Sequence, residues 1–315
     1  MSKINSVLGP LDTSKLGFTL MHEHIIGCGT GISQNYPELL GPNFMDRLIA
    51  DLKMFKKEGI DTVLDASTYD LGRNVSIMAE ASKRSGVNIL ATTGWYHHAE
   101  DFIGNDKPDR FADLFIREIK EGIEGTNIKP AMLKAHADKP GVTAGIEFMH
   151  RAIARAHRAT GTHILLHSYS PGEVGRQQLA VLKEEGVDMK KVKVDHCLDT
   201  TNVDYLTWLM EQGCYLGMER CPVWNMKIED MVHTLKTLID RGWAHRLMPS
   251  HDYLLIRHIP EFPPDLLKHL QENCDPYKYL FYKKVMFPKL TEAGVPEKTL
   301  ISMCTDNPRR FFEGS

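Results

Sequence analysis

Short apolar or β-branched runs recur along the chain at 17–24, 61–67, 88–95, 129–135, 162–167, 191–196, 214–219 and 246–251. Between them, apolar residues return every three to four positions, the spacing of a helix with one buried face. In 44–58, Met45, Leu48, Ile49, Leu52 and Phe55 share such a face, and in 111–123 Leu114, Phe115, Ile116, Ile119 and Ile123 form a broader stripe. The stretch 173–185 carries Val174, Leu179 and Leu182 and stops at Gly186. Gly59, Gly86, Gly161, Gly186, Gly213 and Gly242 each stand shortly before the next strand, where a helix ends in the left-handed conformation. Eight alternations of strand and helix predict an α/β fold, a (β/α)8 TIM barrel, as a single domain over 1–315. A doubly wound sheet is the alternative, but no G-x-G-x-x-G and no Walker loop supports it. The proline-interrupted segment 253–276 reads as a long loop after the eighth strand, and 278–315 as two closing helices.

Composition narrows the partners. The chain has 315 residues, and 38 Lys and Arg against 41 Asp and Glu leave no basic surplus for a phosphate backbone. No nucleic-acid partner is expected. No run approaches the ~18 apolar residues of a membrane span, so no membrane partner is expected either. Met1-Ser2-Lys3-Ile4-Asn5 lacks the pattern of a secretory leader, and the six cysteines form no C-x-x-C pair. A cytoplasmic protein with reduced thiols is the expectation.

The fifteen histidines carry the chemistry. His22-Glu23-His24 closes the first strand run. Strand side chains alternate, so His22 and His24 share a face while Glu23 points away. Two imidazoles so placed can hold one zinc-like ion. Other runs end on His167, His196 and His251-Asp252, and the fourth buries Lys134 among Ala131, Met132, Leu133 and Ala135, where an ammonium is costly. A barrel gathers its site from the C-terminal ends of its strands, so these residues predict a metal centre there. His136, His150, His157, His233, His245 and His269 read as packing or hydrogen-bonding residues. Ser250 is an alternative nucleophile without the G-x-S-x-G elbow that would support it.

Gly17-Phe18-Thr19-Leu20-Met21-His22-Glu23-His24, Glu184-Glu185-Gly186-Val187-Asp188, Ser250-His251-Asp252 and Asn307-Pro308-Arg309-Arg310-Phe311-Phe312 together resemble the phosphotriesterase-like hydrolases of the amidohydrolase superfamily, including their lactonase branch. The resemblance runs almost the whole chain. It implies a binuclear centre in which His22, His24 and Asp252 bind the more buried ion, and His167 and His196 the more exposed one. Lys134 would be carboxylated on its side-chain nitrogen and bridge the two, since a carbamate offers two oxygens where an ammonium offers no lone pair. Zinc is the first expectation for the pair, with cobalt, iron or manganese as alternatives. The implied reaction is attack by a metal-bridging hydroxide on a lactone or related carboxylic ester, with promiscuous organophosphate triesterase activity. Asp252 would accept the proton, while Tyr96 and Arg220 match residues that face the lactonase pocket. A homodimer is the implied assembly.

Alternatives are a dedicated phosphotriesterase, a sugar-lactone-phosphate hydrolase and a non-catalytic barrel. Departures from the lactonase pattern lie at His98, Asp195, Leu198 and Cys221-Pro222. In 253–276, Arg257, His258 and Lys268 suit an anionic substrate, whereas Leu254, Leu255, Ile256, Ile259, Phe262, Leu266 and Leu267 suit an acyl or aryl group. A solvated basic face is the simpler account of the charges.

Overall fold

The apolar runs become parallel strands. The computed structural model describes residues 2–97, 106–220, 226–258 and 264–314, apart from the side chain of Leu266. An antiparallel hairpin that the sequence reading did not anticipate, β1 (Lys3–Ser6) and β2 (Gly9–Asp12), opens the chain. The barrel strands follow: β3 (Thr19–Cys28), β4 (Thr62–Asp65), β5 (Asn88–Leu90) with β6 (Thr92–Gly94), β7 (Met132–Ala137), β8 (His163–Ser168), β9 (Val192–Val194), β10 (Tyr215–Met218) and β11 (Leu247–Pro249). A further strand, β12 (Leu254–His258), pairs with the second half of β3.

The strands form two parallel arcs, β12-β3-β4-β5 and β6 through β11 in chain order. Ala91 alone separates β5 from β6 and accepts the Ala131 N–H at 2.8 Å, so the chain itself carries the wall across that break. At the other junction, the His22 N–H donates to Ser250 Oγ at 2.9 Å and the Asp252 N–H to the His22 carbonyl at 3.0 Å. The two arcs thus make one (β/α)8 TIM barrel, helices outside. Gly86 and Gly161 take the left-handed conformation at helix ends, as their placement predicted.

One end of the barrel is filled by Met21, Leu64, Leu90, Met132, Leu165, Tyr215 and Met248, closed by Phe311 and Phe312 of the helix Glu297–Glu313. Each is nearly or wholly buried, and truncating one such leucine costs about 2–5 kcal/mol. On that apolar floor stand polar side chains two residues further along the same strands, Lys134 above Met132 and His167 above Leu165. The period of two that puts an aliphatic residue in the floor therefore puts a polar one in the mouth.

Two expectations need correction. β3 does not end at His24; it runs to Cys28 because β12 covers its second half, with Leu254 opposite His24 and His258 opposite Cys28. For the same reason 253–276 is not one long loop: it holds β12 and the helix Pro264–Asn273. Arg257 pairs with Asp275 at 3.1 Å and Lys268 lies 3.9 Å from Glu272, so both cations face acids of their own segment. His98, Cys221, Pro222, Ile259 and Phe262 lie outside the described residues. Among the described residues no helix is long and apolar enough to cross a membrane.

Candidate metal centre

His22 and His24 point into the barrel from the middle of β3, and Glu23 points the other way. Glu23 is not idle there. Its carboxylate accepts from the His251 N–H at 2.9 Å, the Tyr253 N–H at 3.2 Å and His251 Nδ1 at 2.6 Å, and so pins the segment that carries Asp252. His251 Nε2 in turn accepts the Tyr282 N–H, which leaves His251 a satisfied support facing away from the site. Ser250 Oγ accepts the His22 N–H and lies 2.8 Å from Glu23 Oε1; it joins β11 to β3 with no exposed surface, a structural hydroxyl.

The inner half of the site follows from tautomers. His22 Nδ1 meets Asp195 Oδ2 at 2.6 Å, so the ring proton sits on Nδ1. Its Nε2 then faces Asp252 Oδ1 at 3.3 Å, buried and without hydrogen-bond geometry. His24 repeats the pattern. Ser67 Oγ donates to the Ile26 carbonyl, so it accepts from His24 Nδ1 at 2.7 Å, and His24 Nε2 faces the same Asp252 oxygen at 3.2 Å. Two imidazole nitrogens and a carboxylate oxygen lie within 4.8 Å of one another. Lone pairs that converge without a donor between them repel, and a divalent cation removes the conflict. A proton is the only substitute in the chain itself. Burial opposes it at His22, but Asp252 and Asp195 outweigh burial and raise that ring above its ordinary value, whereas burial wins at His24 and lowers it.

The outer half is built from β7, β8 and the turn after β9. His167 Nδ1 and His196 Nε2 approach to 2.8 Å, and His167 Nε2 lies 3.3 Å from Asp138 Oδ2. Burial lowers both rings well below the ordinary histidine value, so they are neutral, as ligands must be. Lys134 stands between the halves, 1% exposed, its Nζ donating to the Ala66 carbonyl at 2.9 Å. Burial lowers its pKa to about 8 against the pull of Asp252 and Asp195. The sequence reading set His136 aside with the packing histidines. The structure puts it on β7 beside the site, 4.4 Å from the His167 ring and 4.5 Å from the Tyr96 ring, where it groups with Asp138 and His167. The other packing assignments hold for His150, His157 and His245, whose Nδ1 atoms meet the carbonyls of Ile146, Thr162 and Gly242.

Three residues of the site hold left-handed backbone: His196 at φ 62°, Arg220 at 63° and Asp252 at 58°. Each such non-glycine conformation costs about 1–3 kcal/mol and persists only where neighbours enforce it. Glu219 Oε2 accepts the His196 N–H at 2.8 Å, and the Arg220 N–H donates to the His251 carbonyl. Arg220 then reaches Asp252 Oδ2 through Nε at 3.2 Å and Asp199 Oδ2 through Nη1 at 2.8 Å. Burial pushes Asp252 up, but His22, His24 and His196 overcome it and hold the carboxyl well below the usual range. Asp70 accepts the Tyr96 and His97 N–H groups and fixes the Tyr96 backbone beside this cluster. The Tyr96 ring lies 5.4 Å from His167 and 5.2 Å from Lys134 Nζ. Burial, then Asp252, pushes its phenol up to about 12, so it stays a donor.

The family description "Phosphotriesterase family" matches residues 2–312. The chain belongs to the phosphotriesterase family. The phosphotriesterase homology protein of Mycobacterium tuberculosis is 36% identical, with 99% of this chain and 98% of that protein aligned. The aryldialkylphosphatase of Saccharolobus solfataricus is 31% identical, with 96% of each covered. The solved structure of the phosphotriesterase from Mycobacterium tuberculosis superposes with a TM-score of 0.90 at 35% identity, covering 99% of this chain and 98% of that one. This phosphotriesterase-family barrel thus brings His22, His24, Lys134, His167, His196, Asp252, Tyr96 and Arg220 to one mouth. Sequence reasoning missed Asp138 and Ser67 and assigned no role to Asp195. A signal for two of them was in the chain: Lys134-Ala135-His136-Ala137-Asp138 and Lys193-Val194-Asp195 alternate polar and small or apolar residues with the period of a strand.

Proposed function

We propose that this phosphotriesterase-family protein is a binuclear metal-dependent hydrolase of lactones and related carboxylic esters that also turns over organophosphate triesters more slowly. The observation that carries the reading is the convergence of His22 Nε2 and His24 Nε2 on one oxygen of Asp252, with no donor between them. His22, His24 and Asp252 would hold the inner ion, and His167 and His196 the outer one. Lys134, its neutral amine joined to CO2 through a new N–C bond with release of one proton, would supply carbamate oxygens to the pair. When bound, two divalent ions, zinc first, supply an acidified water and polarise the scissile group of the substrate.

The chain's own residues do the rest. Asp252 Oδ2 accepts the proton of the attacking water. Arg220 fixes that carboxylate but cannot relay its proton, because a guanidinium does not deprotonate. Tyr96 donates its phenolic hydrogen to the oxygen on which charge develops. A planar ester carbon becoming tetrahedral resembles a phosphotriester in shape, which explains why one site serves both. The aryldialkylphosphatase name of one relative favours a second reading, a dedicated phosphotriesterase.

The test is hydrolysis by metal-reconstituted protein of acyl-homoserine lactones, γ- and δ-lactones, sugar lactone phosphates, aryl esters and a paraoxon-type triester, with a chelated control and metal counted per chain. Chelator-sensitive turnover led by one lactone class is the expected result. Triester turnover far above every lactone moves the conclusion to the second reading, and a chain that takes up no metal defeats both.

A further inference from the structure

Below the two halves lies a charged cluster that the hydrolytic reading does not use. Lys193, in the middle of β9, faces into the barrel with no exposed surface. Its Nζ contacts Asp195 Oδ1 and lies 2.8 Å from Glu219 Oε1; both acids are equally buried. Each acid uses its second oxygen on a different histidine. Asp195 Oδ2 takes the His22 ring proton at 2.6 Å, and Glu219 Oε2 takes the His196 backbone N–H at 2.8 Å. A single ammonium therefore joins one histidine of the inner half to one of the outer half.

The barrel makes room for this arrangement. Gly217 on β10 lies against it: a Cβ there would stand 1.8 Å from Glu219 Oε1 and 2.2 Å from Asp195 Oδ1. Lys193 stands between the two carboxylates and fixes one oxygen of each, which aims the second oxygen of each at its histidine. With Lys193 present, Asp195 remains an acceptor for the His22 Nδ1 proton and keeps Nε2 free on the inner side. Glu219 remains an acceptor for the His196 N–H and holds that residue in its left-handed conformation.

We infer that Lys193 is a positioning residue that clamps Asp195 and Glu219 and thereby holds His22 and His196 in one geometry, so that the two metal sites fill and empty as a pair. The inference rests on the two-metal reading above. Without the ammonium neither carboxylate is fixed, their hydrogen bonds to His22 and His196 slacken, and the two metal sites loosen independently.

The experiment compares Lys193→Met with wild type, both loaded with zinc. It reads bound metal per chain after dialysis and the rate of release to a chromogenic chelator, with circular dichroism and Tm as controls of fold. Wild type is expected to release its two ions in one phase. Lys193→Met is expected to release at least one ion 10- to 100-fold faster, in two separate phases, the range found for removal of a group that orients a ligand. A folded Lys193→Met protein that keeps two ions with wild-type release overturns the inference. If Lys193→Met does not fold, Lys193→Met/Glu219→Gln removes one charge of each sign and takes its place, with the same two-phase, faster release expected. Wild-type release from the folded double variant overturns the inference, and so does loss of fold in both, because Lys193 would then serve the barrel and not the centre. Wild type that binds fewer than two ions counts against the two-metal reading itself, a result distinct from all of these.

Discussion

The two halves of the site use the same chemistry on different supports. In the inner half His22 leans on Asp195 and His24 on Ser67, and both supports are fully buried. In the outer half His167 leans on Asp138, whose side chain is 39% exposed, at the longer distance of 3.3 Å. A carboxylate in the interior orients its ring through a short, unscreened bond, whereas one at the mouth shares its charge with water and salt. The inner half is therefore the rigid holder and the outer half the adaptable one, which suits a site where substrate arrives from the mouth. Arg220 bridges the contrast, gripping Asp252 from inside and Asp199 toward the rim. Burial raises Asp199 to about 6 even against Arg220.

The contrast can be broken at its centre. Asp252→Asn keeps the shape of the inner half but removes the proton acceptor, so kcat is expected to fall by about 10³-fold with the fold intact by circular dichroism. Wild-type turnover from that variant would sink the mechanism. Tyr96→Phe acts on the outer side alone. It should lower kcat by about 10²-fold, the cost of one donor to a developing oxyanion, and leave the metal count at the wild-type value.

Asp195→Asn and Asp138→Asn set the two supports against each other. Measured by chelator competition, Asp195→Asn should weaken metal binding about 10- to 100-fold. Asp138→Asn should cost less than tenfold, with an effect that shrinks further in high salt. Equal losses would remove the distinction between the halves.

The effect furthest from the reacting groups is on stability. His150 Nδ1 donates to the Ile146 carbonyl, and its Nε2 accepts from Gln178, which also donates to the His167 carbonyl of the outer half. Burial lowers His150 to about 4, below the unfolded value near 6.5. The unfolded chain then binds more protons between these values, so this contribution is whole above pH 6.5 and is lost as pH falls toward 4. The loss is about 3 kcal/mol at most. His150→Gln should flatten that acid limb in urea titrations run from pH 7 to pH 4, and an unchanged limb would assign the acid sensitivity elsewhere.

Much of this was legible because barrel strands obey a period of two. His22 and His24 were placed on one face by that rule, and Glu23 on the other, and all three stand so. Lys134 was conspicuous as a cation in an apolar run. His136 was grouped with the packing histidines, although alternation with Lys134 and Asp138 is the mark of an inward strand face. β12 was missed since its apolar run leads into Pro260, Pro263 and Pro264 and resembled a loop; only its pairing with β3 makes it a strand.

By itself the sequence determined the alternation of strands and helices, the family and the six residues that read as metal ligands, because periodicity and residue chemistry are local properties. The tertiary structure alone decided which groups support those residues. Asp195 reaches His22 across 173 positions of chain and Ser67 reaches His24 across 43, and no local pattern encodes either pairing. Tautomers, burial and the shared Lys193 clamp arise only when the ring of strands closes, since each depends on which side chain stands opposite and on the water that closure excludes.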